Sequence, residues 1–142
     1  MAATVRGAVR ELLEQTMVTI DTLLAASDDE LPLPSSHACA QGKDLWTLIT
    51  NDIDHEKIHV GQILEGRYEA RITQSPTQRL IAEWLAERAR LIGGLVGLSD
   101  EQFNAETAPG QWTYRVIAKH VLMLEQDSLQ SLARDRAARS GS

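Results

Sequence analysis

Two stretches of this chain follow one plan, and that repeat limits the folds open to it. Leu23-Leu24-Ala25-Ala26-Ser27-Asp28-Asp29-Glu30 is echoed by Leu95-Val96-Gly97-Leu98-Ser99-Asp100-Glu101. Each is followed by a connector, a glycine and then Trp-Thr, at Trp46-Thr47 and Trp112-Thr113. On either side of each connector, apolar residues recur every three or four positions, the helical period, and no stretch alternates like a strand. Each copy therefore reads as a helix, a connector and a second helix. Two copies are too few for a solenoid, which needs about three repeats. They are expected to pack as an all-α four-helix bundle of two pseudo-equivalent helix pairs, one domain over residues 1–142.

The expected helices span about 5–25, 44–68, 76–98 and 111–134. Val5, Val9, Leu13, Thr16, Ile20 and Leu23 form the apolar stripe of the first. The connector from Ala26 to Lys43 carries the turn and breaker residues Asp28, Asp29, Pro32, Pro34, Ser35, Ser36 and Gly42, and Asp44 offers an N-cap for the second helix. Ser75 can cap and Pro76 can open the third, whose stripe runs through Leu80, Trp84, Leu91 and Leu95. The fourth follows Pro109-Gly110 from Gln111 or Trp112, and an Ala/Arg/Ser tail after Arg134 is expected to fray.

Composition removes several function classes. Net charge is -6 with no Lys/Arg block, so the electrostatic footprint of a nucleic-acid binder is missing. No stretch approaches the ~20 apolar residues of a membrane span, and Met1 to Arg10 holds two arginines without an apolar run, so a cytoplasmic location is expected. Cys39 is the single cysteine, which rules out an intrachain disulfide and a cysteine zinc cluster. His37 and Cys39 have no second pair to complete a metal site and are read as surface positions.

The residues that carry chemistry are histidines. In Asp54-His55-Glu56-Lys57-Ile58-His59, the four-residue spacing stacks two imidazoles on one helix face, a grip suited to a metal. Projection at about 100° per residue puts Leu45, Leu48, Ile49, Asp52, His55, Glu56, His59 and Ile63 on one side, so the histidines are expected to face inward. With Trp46 and Trp112 as equivalents, His120 stands where the first copy has Asp54, and His59 where the second has Glu125. His120 shares its stripe with Val116, Ile117, Leu124 and Asp127, so it too is expected to face inward, a third ligand beside an open coordination position. Without a metal, the pair would be core or interface histidines bonded to Asp52 or Glu56. Neutral imidazoles suit Zn²⁺, favoured here, but also Ni²⁺, Co²⁺, copper or Fe²⁺. Asp52, about one turn before His55, can orient an imidazole through its other nitrogen; Glu56 can act as a base or stay a solvated carboxylate.

Arg88 lies among Trp84, Leu91, Ile81, Leu85, Ile92 and Leu95, near the middle of the third helix's apolar arc. A charge there needs a partner. An internal ion pair with Asp52, Glu56 or Glu87 meets that need, as does a snorkelling stem; the functional reading is capture of a substrate carboxylate. Trp46 and Trp112 are read as plugs at the bundle ends, and Glu83, Glu87 and Arg90 as solvent face.

These residues together resemble the DinB-like (DinB/YfiT) four-helix-bundle superfamily, through Leu95-Val-Gly-Leu-Ser-Asp-Glu101, Gly110-Gln-Trp-Thr, the His120 helix and His55-Glu-Lys-Ile-His59-Val-Gly-Gln-Ile. The resemblance covers nearly the whole chain and implies one divalent metal held by His55, His59 and His120. It also implies a homodimer, and a metal-dependent thiol S-transferase acting with a low-molecular-weight thiol on a small-molecule substrate. The usual order is reversed here, since the paired histidines lie in the first half. Metal-assisted hydrolysis with Glu56 as base, and a non-catalytic metal- or ligand-binding stress-response bundle, are the competing readings.

Overall fold

The computed structural model describes residues 4–140, and among these it is helical with no strand. Five α-helices follow in order, α1 (Val5–Ala25), α2 (Leu45–Glu69), α3 (Pro76–Leu95), α4 (Asp100–Asn104) and α5 (Tyr114–Ser140), with 3₁₀ turns at Asp28–Glu30 and Ala38–Ala40. The chain divides into two compact units, Met1–Thr73 and Gln74–Ser142, at the joint between the two sequence copies. Among the described residues no helix is long and apolar enough to cross a membrane.

In the first unit, side chains mark where helices begin. The Thr4 hydroxyl accepts from Gly7 N at 3.0 Å to start α1, and Asp44 Oδ1 accepts from Thr47 N at 2.8 Å to start α2. The connector between them is fastened to α2 by its backbone. Trp46 N donates to Leu31 O and Leu45 N to Leu33 O, beside an isolated antiparallel bridge between Pro34 and Asp44. The Ala38–Ala40 turn packs on α2, where Asn51 Nδ2 donates to Cys39 O at 2.7 Å and Ala40 is fully buried.

The second unit repeats this plan with changes. Ser75 and Gln78 form a capping box at the start of α3, with Pro76 as its first residue. That helix stops at Leu95 rather than near 98, because Val96 is extended and Gly97 takes a left-handed turn (φ 88°). The following connector contains α4, a helix absent from the expectation although Ser99 and Gln102 carry the same capping box. An antiparallel bridge joins Glu106 to Thr113, and Gly110, at φ 75°, donates its N–H to Glu106 Oε2 at 2.8 Å. The last helix begins at Tyr114, later than expected, since the Thr113 hydroxyl accepts from Val116 N at 3.1 Å and so caps it. It continues to Ser140, beyond the expected end at Arg134, because Arg136, Ala137, Ala138 and Arg139 are good helix formers.

The apolar stripes hold as faces of helices, and their residues differ in exposure. Leu13, Leu80 and Leu124 are exposed, while Ile20, Leu48, Ile49, Leu91 and Leu95 are half-buried. Periodicity states which residues share a face; it does not supply what covers that face.

Candidate functional site

On α2, Asp52, His55, His59 and Gln62 succeed one another at steps of three or four residues, so they share one face. The two imidazoles meet there. His55 Nε2 and His59 Nε2 stand 2.7 Å apart, and the ring centroids are 4.4 Å apart at an interplanar angle of 40°. On the far edge of His59, Nδ1 lies 2.7 Å from Gln62 Oε1. Both histidines are exposed on this face of α2. The apolar residues of α2 that were to bury them, such as Ile63 at 64% exposure, are open as well.

Beside His55 lies a shallow pocket of about 260 Å³, which Asp52, Asp54, Asn51, Cys39 and Ile58 line with it. Helix α2 presents Asn51 to Ile58, and the buried Ala40 turn holds Cys39 against them. Asp54 is engaged by Lys57 Nζ at 2.9 Å, so Asp52 is the wall's carboxylate without that neutralising partner. The orienting contact on an imidazole comes from Gln62 rather than from Asp52. Glu56 lines a different hollow of α2, with Ile53, Lys57 and Val60.

His120 belongs to the second unit, on α5, and is exposed. The indole of Trp112 meets its ring edge to face, centroids 5.0 Å apart at 69°. The tryptophans are not sealed plugs, since Trp46 is 59% and Trp112 55% exposed. Arg88 is paired with Glu125 across α3 and α5, and its guanidinium lies 5.8 Å from the centre of the Trp84 ring. Of the carboxylates weighed from the sequence none is this partner, and Glu87 pairs with Arg90 instead. Glu125 takes one edge of the Arg88 guanidinium, through Nη2, and partly neutralises the charge that a substrate carboxylate would meet.

Two nitrogens at about 2.0–2.1 Å from one tetrahedral ion lie roughly 3.3–3.4 Å apart, so the His55–His59 pair, at 2.7 Å, would have to open by about 0.6–0.7 Å to admit a metal. The pair fits as two donors. Among the described residues, no group of three or more His, Cys, Asp or Glu side chains is placed to hold an ion.

No protein-family model matches the chain, and no solved structure matches it. Among curated proteins, the chain is similar to interphotoreceptor matrix proteoglycan 1 of Rattus norvegicus, 39% identical over 67 residues. That match covers 46% of this chain and 8% of the proteoglycan's length.

Proposed function

We propose that this chain is a metal-dependent helical protein of the DinB-like type, with two helix pairs forming a four-helix bundle. It holds one divalent ion, Zn²⁺ by preference, through His55, His59 and His120, and transfers a small-molecule thiol to an electrophilic substrate. The observation that carries the reading is the convergence of His55 Nε2 and His59 Nε2 to 2.7 Å on one exposed face of α2. His120 as third ligand rests on the sequence resemblance. A divalent cation there would supply Lewis acidity, favouring the thiolate form of a bound thiol near neutral pH. The chain's own part is to hold the ligands and to receive the substrate in the pocket beside His55, where the Asp52 carboxylate can accept hydrogen bonds.

Thiol transfer is preferred to hydrolysis on the sequence resemblance; Glu56, the base read for hydrolysis, lines the hollow with Ile53, Lys57 and Val60 rather than the pocket of His55. The test is an assay of zinc-loaded protein against an activated aryl halide or an epoxide, with and without a low-molecular-weight thiol. Consumption that requires both thiol and His59 is expected. Thiol-independent cleavage of an ester or amide would establish the hydrolase instead, and a zinc-loaded protein inert in both assays would be a binding bundle.

A further inference from the structure

The geometry points to Gln62 as a positioning residue that fixes the tautomer of His59 and aims its Nε2 lone pair at the place His55 Nε2 reaches. A carboxamide oxygen only accepts, so with Gln62 Oε1 2.7 Å from His59 Nδ1, that nitrogen carries the ring proton and donates it. Neutral His59 then has no proton on Nε2. The 2.7 Å contact between the two Nε2 atoms is therefore a hydrogen bond from His55 Nε2–H to the His59 lone pair. The two rings are unequal in consequence. His59 is already in the form that ligates a metal, whereas His55 must move its proton from Nε2 to Nδ1 before it can do so. Residue spacing makes the arrangement local: Gln62 stands one turn after His59 on α2, as His59 stands one turn after His55.

For metal binding, this inference rests on the function proposed above; for the tautomer it does not. A hydrogen bond of this kind behind a ligating imidazole raises metal affinity by about 10–100-fold, and the exposed, uncharged amide belongs at the lower end. The experiment compares wild-type full-length chain without a histidine tag, Gln62→Leu and Gln62→Glu. Leucine is a good helix former, and the site is exposed, so both variants keep α2. Two-bond ¹H–¹⁵N spectra of the metal-free proteins at neutral pH read the tautomers, and a competitive zinc titration reads affinity. The wild type is expected to show His59 protonated at Nδ1 and His55 at Nε2. Gln62→Leu is expected to lose the His59 preference and about tenfold in zinc affinity, with both restored in Gln62→Glu. A wild-type His59 protonated at Nε2, or a Gln62→Leu protein with unchanged tautomer and zinc affinity, would overturn the assignment. If the tautomers are as stated but wild-type protein binds no zinc, Gln62 still positions His59 and the metal reading is the one that fails.

Discussion

His59 and Asp44 each take their chemistry from a residue three positions further along the chain. Spacing within a helix made the His55–His59 pair legible in the sequence, since two residues four apart meet whatever the rest of the fold does. Gln62 was not legible as a partner: glutamine is common on helix surfaces, and Asp52 offered a stronger acceptor. Asp44 was expected as a cap, and the structure adds its electrostatic consequence. Its hydrogen bonds from Thr47 hold the carboxyl below the ordinary carboxylate range. A carboxyl depressed in the folded state stabilises the fold at pH values above its unfolded pKa, and that contribution is lost as pH falls through the folded value. Thermal stability should therefore lose an increment on acidification through the carboxylate range. Asp44→Asn keeps an acceptor for Thr47 N but cannot titrate, so the difference between the two melting temperatures should narrow at low pH. A difference independent of pH would remove the ionised cap from the explanation.

Between elements, local signals predicted more than distant ones. The four long helices and the caps at Asp44 and Ser75 were readable because their signals lie within one turn. The Arg88–Glu125 pair was not, because α3 and α5 bring together residues far apart in sequence, and the repeat drew attention to Glu125 only as the counterpart of His59. Both side chains keep some exposure, 31% and 23%, so their coupling is modest. A double-mutant cycle of Arg88→Met and Glu125→Leu should give about 0.5–1 kcal/mol in urea unfolding. Zero coupling would show that the pair does not tie α3 to α5. Glycines give a sharper contrast. Gly110 (φ 75°) and Gly61, within α2, both have open space where a Cβ would go, so backbone conformation alone decides the sign. Gly110→Ala should destabilise by about 1–2 kcal/mol. Gly61→Ala should stabilise by roughly 0.5–1 kcal/mol. Equal effects at the two sites would contradict the turn at Gly110.

For the molecule as a whole, the all-α architecture was legible, because the helical period runs the length of the chain; the division into two units at Thr73/Gln74 was not, since the internal echo was read as one domain of two helix pairs. What covers the stripes was not, since a stripe is a property of one helix and its cover belongs to another surface. The homodimer implied by the resemblance remains a proposal with a direct check: light scattering at tens of micromolar should give twice the 15.7 kDa chain mass. A mass of one chain would count against it. The metal is the more consequential proposal, because thiol activation depends on it. It is tested most directly by elemental analysis of protein purified without a histidine tag and equilibrated with Zn²⁺, alongside His59→Ala and His120→Ala. Wild type should hold one zinc per chain and each variant far less, at unchanged helical content. Undiminished zinc in either variant would contradict a site built from His55, His59 and His120.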